Sequence, residues 1–230
     1  MSAPHFAINF FIALFALIDP VGNVPLFAAA TGGASAPGRR LTALYIALFA
    51  FGFLAFFFIT GLALLRFFGV SLPAFRIAGG ILLLLLGLDM ARGELGQKLA
   101  GEAETAALPA RIYAARRFEG LIVPFGMPLL IGPGAISTAV IYAEEARRFG
   151  LTGAAVGLAV IAAAALSVFV AFALANLIAR LLGKIGMAIV VRVLGLILVA
   201  MGVQFVLAGF AQSTIGLVRP AAAVPYPAAR

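Results

Sequence analysis

There is no cysteine and no tryptophan in this chain, one histidine, and only eight acidic side chains in 230 residues. Without cysteine there is no disulfide, no thiol nucleophile and no cysteine-held metal. His5 precedes the first apolar stretch, has no second histidine to join it, and reads as a surface residue. Charge is scarce altogether, 10% of residues against 64% apolar, and the mean hydropathy is +1.19. A soluble domain is about half apolar and a quarter charged, so the composition excludes one. The net charge of +8 would suggest nucleic acid in a soluble chain. Here the basic residues are spread over connecting segments, where the positive-inside rule accounts for them. No nucleic-acid partner is expected. No Walker pattern occurs, so ATP is not expected to drive this protein.

What the chain does have is long apolar runs, at 6–30, 41–65, 73–91, 120–143, 153–179 and 187–210. Each exceeds or approaches the roughly 20 residues that span a bilayer core. The first is not expected to be a signal peptide, since it lacks a basic leader, carries Asp19 and is too long for an h-region. The expected class is an all-α membrane protein with six transmembrane helices. Arg39, Arg40, Arg92, Lys98, Arg111, Arg116, Arg117, Arg180 and Lys184 fall in the odd-numbered loops, against Arg66, Arg147 and Arg148 in the even ones. That surplus places the odd loops in the cytoplasm and both termini outside.

The two halves repeat. Ala16-Leu17-Ile18-Asp19-Pro20 aligns with Leu129-Leu130-Ile131-Gly132-Pro133, and Arg76-Ile77-Ala78-Gly79-Gly80 with Arg192-Val193-Leu194-Gly195-Leu196. Three spans per half is odd, so the second copy enters the membrane upside down, as an inverted repeat. The division is 1–91 for the first repeat, 92–119 for a solvated cytoplasmic linker, 120–212 for the second repeat and 213–230 for a disordered Ala/Pro-rich tail.

Two glycine-proline islands interrupt spans one and four near their middles, where the helices should break at the midplane. The first is Ile18-Asp19-Pro20-Val21-Gly22-Asn23-Val24-Pro25 and the second Ile131-Gly132-Pro133-Gly134-Ala135-Ile136-Ser137-Thr138. In hydrocarbon, non-helical backbone survives only inside protein or beside a water-filled cavity. Paired interruptions in two halves are the best sequence pointer to a transporter's substrate site. Pro20 should end the helix near Ile18 and free the carbonyls of Phe15, Ala16 and Leu17. Asn23 is placed to N-cap a second half-helix whose N-terminus favours an anion. Asp19, an intramembrane carboxylate, marks a binding site or proton path by default. In the second island Pro124, Pro128 and Pro133 weaken the helix, and Ser137 and Thr138 offer hydroxyls in the first turn after the break.

Gly80 and Gly87, and Gly195, Gly202 and Gly209, recur every seven residues and form a packing seam. Arg76 and Arg192 snorkel to the interface. Asn176 and Gln204 are polar residues inside spans, and Gln204 is the better candidate for the site.

Ile18-Asp19-Pro20-Val21-Gly22-Asn23-Val24-Pro25-Leu26-Phe27 resembles the first-helix motif of the MarC family of bacterial inner-membrane proteins. The run from Pro124 to Thr138 resembles its fourth-helix motif, and the Arg76 and Arg192 segments are similar to its third and sixth helices. The resemblance implies six spans in the bacterial inner membrane and a group that includes SnatA-like small neutral amino acid transporters. It implies glycine, alanine or serine as substrate, with a proton or sodium ion as coupling partner left open and no other cofactor.

The residues support the same activity. A zwitterion needs donors for its carboxylate, here near Asn23 and Ser137, and acceptors for its ammonium, here Asp19 and the carbonyl ends near Ile131. No Lys or Arg is expected beside either island, which fits a neutral substrate. The expected site is Asp19, Pro20, Gly22, Asn23, Gly132, Pro133, Gly134, Ser137, Thr138 and Gln204. The alternative is a channel or a non-transport membrane protein. An enzyme is not expected, since the spans offer one carboxylate and neither His nor Cys. A metal site is not assigned and oligomer formation is left open.

Overall fold

Proline and glycine punctuate the apolar runs, and the helices of the computed structural model begin and end there. It describes residues 3–93, 108–122, 126–127 and 130–213. Most of the linker (94–107), the prolines Pro124 and Pro128, and the tail 214–230 lie outside the described residues. Helix α1 runs Ala3–Ile18, α2 Val24–Ala30, α3 Ala36–Phe67 and α4 Leu72–Arg92. Then come α5 (Ala110–Leu121), α6 (Pro133–Ala146), a 3-10 turn at Arg147–Phe149, α7 (Gly150–Ala173) and α8 (Ala175–Ser213). No strand occurs among the described residues.

The caps follow local chemistry. Ser35 Oγ accepts from Gly38 N–H (3.3 Å) and Ser71 Oγ from Ala74 N–H (3.2 Å), each with a proline in the first turn. Gly93 closes α4 in the left-handed conformation, φ 84°. Four helical stretches are long and apolar enough to cross a membrane: Ala36–Gly61, Leu72–Arg92, Pro133–Ala173 and Ile185–Ser213. The third contains α6 and α7 on either side of the 147–150 bend. The described residues are thus all-helical, and the chain is a multi-pass membrane protein.

Aromatic side chains hold α1 against α3 and α6. Phe10 stacks on Tyr142 (centroids 4.6 Å apart) and on Phe58 (5.8 Å), while Phe6 meets Tyr142 and Phe149. Phe27 of α2 stacks on Phe172 of α7 at 4.4 Å. The glycine seam is the α4–α8 contact. A Cβ on Gly80 would fall 2.5 Å from Gly202 O, and one on Gly87 would fall 2.7 Å from Gly195 O. Only glycine lets these backbones approach so closely.

Two boundaries differ from the sequence expectation. The fifth run does not reach 179: the chain turns at Leu174, and α8 starts at Ala175 and kinks at Gly183 (φ 63°), so Asn176 opens a helix rather than sitting inside a span. Part of the linker is ordered helix. In α5, Tyr113, Ala114, Arg117 and Leu121 are buried on one face and pack on α3, with Phe118 edge-on to Tyr45 and Phe49. Arg117 is only 5% exposed, and its guanidinium donates to Ala30 O at the C-terminus of α2. A cation there also complements the helix dipole.

Candidate functional site: two adjoining helix breaks

The first break is a closed turn. Asp19 takes φ 43°, a left-handed value that Asp tolerates better than most residues. Its Oδ1 accepts from Gly22 N–H at 3.0 Å. A Cβ on Gly22 would overlap the Asp19 carboxylate, so a larger residue there would displace that side chain from the Gly22 amide. Asn23, 6% exposed, donates through Nδ2 to Ile18 O (2.9 Å) and Asp19 O (3.1 Å).

This corrects the role expected of Asn23. It occupies the N-cap position of α2 but makes no side-chain bond to that helix. Its amide instead satisfies carbonyls at the C-terminal end of α1, which a broken helix leaves without partners. Nor is the Phe15 carbonyl free, because Asp19 N–H donates to it at 3.0 Å.

The second break is built differently. Ile131 N–H reaches back five residues to Gly126 O at 3.1 Å, a π-type turn. Gly132 is extended and α6 begins at Pro133, with no side-chain cap. The first main-chain bond of α6 runs from Ile136 N–H to Gly132 O, so the amides of Gly134 and Ala135 precede its ladder. Gly132 through Ser137 are all buried. Ser137 Oγ donates back to Gly134 O at 3.0 Å, so its hydroxyl hydrogen is committed to its own helix. Thr138 is partly buried.

The structure brings the two breaks together. A Cβ on Gly134 would lie 3.3 Å from Leu17 Cδ2 and 2.5 Å from Phe205 Cζ. Gly79 of α4 lies against Pro133 so closely that a Cβ would overlap the ring. Gln204 is half-buried on α8, beside Phe205 in sequence. Leu17, Gly79 and Phe205 were not among the expected residues. The Gly79-Gly80 doublet carried a signal: Gly79 makes room for α6 and Gly80 for α8.

Arg76 corrects the expectation that no basic residue stands near the islands. It is half-buried in α4, one turn from Gly79, and its Nε is fully buried with no hydrogen-bond partner among the described residues. Arg192, which aligns with it in the sequence, is exposed.

These features can be set beside known proteins. The profile of the MarC family of integral membrane proteins matches residues 4–214, which include both breaks. The chain belongs to the MarC family. Relatives in it include a UPF0056 membrane protein of Aquifex aeolicus, 34% identical over 199 residues, 86% of this chain and 89% of that one. The UPF0056 membrane protein YhcE of Escherichia coli is 34% identical over 202 residues, covering 87% of this chain and 90% of its own. No solved structure matches the chain. Among the described residues, no group of three or more His, Asp or Glu is placed to hold a metal.

Proposed function

We propose that this MarC-family protein is a secondary transporter of small neutral amino acids, with glycine, alanine and serine as its substrates. The observation that carries the reading is the meeting of the two helix breaks, with Leu17 at the end of α1 on Gly134 at the start of α6. Such a junction offers main-chain donors and acceptors at one place inside an apolar bundle, as a zwitterion requires. The glycines there are hemmed in by Leu17, Phe205 and the Asp19 carboxylate. In this packed state Leu17 and Phe205 must separate from Gly134 before a ligand enters. Only a small side chain fits with modest movement.

The architecture in this reading is six spans in two inverted repeats, in the bacterial inner membrane with both termini outside. Its support is the reciprocity of the α4–α8 seam. A Cβ on Gly80 would meet Gly202 O at 2.5 Å and one on Gly202 would meet Gly80 O at 2.6 Å; for Gly87 and Gly195 both distances are 2.7 Å. Two-fold related elements touch in this mutual way. The offset between Arg76 and Arg192 carries the pair 80·202 onto 196·86, one residue from the 195·87 pair.

Counterflow in proteoliposomes, with imposed proton and sodium gradients, tests the function. Uptake of labelled glycine, alanine or serine is expected, with large apolar and cationic amino acids excluded. Gradient-independent ion conductance without exchange would favour a channel and refute it. Asp19→Asn is the companion variant, because an amide oxygen can still accept from Gly22 N–H and keep the turn. Exchange should survive in it while gradient-driven accumulation is lost. Wild-type accumulation would remove Asp19 from the mechanism.

A further inference from the structure

Arg76 is a cation near the start of an apolar span, and its Nε has no hydrogen-bond partner among the described residues. Intramembrane charges are ordinarily paired, or face a water-filled path. Its place in the fold shows what it faces. Going from Leu72 through Arg76 to Gly79 takes about two turns of α4. Leu72, with Val140, Ile141, Glu144 and Arg148, lines an open cavity of about 750 Å³ at the end of the bundle where α6 finishes. Gly79 lies on Pro133, at the second helix break. The two helices therefore run antiparallel, and Arg76 is level with residues 136–138 of α6, between the cavity and the break.

The helical register also aims the side chain. Gly79 faces α6 and Gly80 faces α8. At 100° per residue, position 76 projects between those two directions. A simple snorkelling arginine would place its whole head at the water interface. Here the innermost nitrogen of the guanidinium is sealed from water and unbonded.

We propose that Arg76 is a carboxylate-recognition residue on the route from this cavity to the adjoining helix breaks. Its ligand is the carboxylate of the amino acid that the transport reading assigns, and the inference rests on that reading. A guanidinium suits this task because its N–H groups bind a carboxylate in a fork that an ammonium cannot reproduce. The residue recognises the anionic half of the zwitterion and leaves the ammonium to acceptors at the first break.

The test uses purified full-length protein in proteoliposomes, with glycine and its carboxylate-free analogue glycinamide as probes. Wild type, Arg76→Gln and Arg76→Lys are compared for half-saturation of uptake and for thermal unfolding without ligand. Arg76→Gln is expected to weaken glycine at least about tenfold, as loss of a charge-assisted bond should. Glycinamide should be unaffected, and Arg76→Lys should fall between. The ligand-free Arg76→Gln protein should unfold at or above the wild-type temperature, because an unpaired charge has been removed. Unchanged glycine affinity in Arg76→Gln would overturn the inference and leave the transport reading intact. So would an equal loss for both probes accompanied by a lower unfolding temperature, which marks a structural arginine. If wild type takes up no glycine, alanine or serine, the transport reading fails and this inference falls with it.

Discussion

Replacing Asn23 by Asp distinguishes the two roles an asparagine can play at a helix break. An N-cap accepts hydrogen bonds, and Asp performs that task as well as Asn, with a further gain from the helix dipole. The structure instead makes Asn23 a donor, through one amide nitrogen to Ile18 O and Asp19 O. Asp19 O also accepts from Asn23 N–H at 3.1 Å, so it keeps a partner in the variant. Ile18 O loses its side-chain partner, and a buried carbonyl left unmet costs about 1–3 kcal/mol. The new carboxylate would face two carbonyl oxygens in a site only 6% exposed, so the total cost should exceed about 3 kcal/mol. At about 2–4 °C per kcal/mol for a chain of this size, the unfolding temperature should fall by roughly 6–12 °C. Asn23→Ala, which loses the donor without adding a charge, should fall less. With neither tryptophan nor cysteine for fluorescent reporters, far-ultraviolet circular dichroism in detergent is the suitable assay, at one scan rate throughout. If the Asp variant matches or exceeds the Ala variant in stability, the donor assignment is wrong.

Gly134→Ala should destabilise by about 1–3 kcal/mol through overpacking, since its methyl would lie 2.5 Å from the Phe205 ring. Phe205→Leu in the same chain should recover most of that loss, and strict additivity of the two effects would refute the contact. Burial lifts the Tyr113 phenol above the ordinary tyrosine value, against the lowering influence of Arg117 and Arg39. Arg117→Met should raise it further in an ultraviolet titration corrected with Tyr113→Phe; a Tyr113 that titrates at the ordinary tyrosine value would contradict this. Because the folded value lies above the unfolded value of about 10, this group's contribution is full below that pH and lost as pH rises through the folded value.

The features legible in the sequence were those that a single residue type enforces. Pro20 cannot continue α1, and the helix ends at Ile18. Glycines spaced by seven can only form a close seam, and Gly80, Gly87, Gly195 and Gly202 do so. What was hidden depends on a partner elsewhere in the chain or on a choice within one side chain. An asparagine carries both donor and acceptor, so sequence alone could not tell that Asn23 serves the helix behind it. Arg117 looked like one more solvated linker charge, although Tyr113, Ala114, Arg117 and Leu121 trace one stripe of a helix. Its burial becomes visible only with Ala30 O beside it. The close approach of α6 to α4 beside Arg76, through Gly79 and Pro133, cannot be read along α4.

The contrast between the two breaks bears on where a zwitterion would be held. The first is closed by its own side chains: Asp19 takes the Gly22 amide, and Asn23 takes the last carbonyls of α1. Those groups are not spare donors. The second break starts a 14-residue helix with no side-chain cap, and the amides of Gly134 and Ala135 precede its ladder in a buried setting. A helix start of this kind favours negative charge. Arg76, level with the first turns of α6, adds positive charge on the same side. On the transport reading proposed above, the carboxylate would sit at the second break. On that proposal Asp19, at the first break, faces the ammonium. Asn23, expected to hold the anion, holds the turn instead, so its loss should lower stability without altering the preference for a carboxylate.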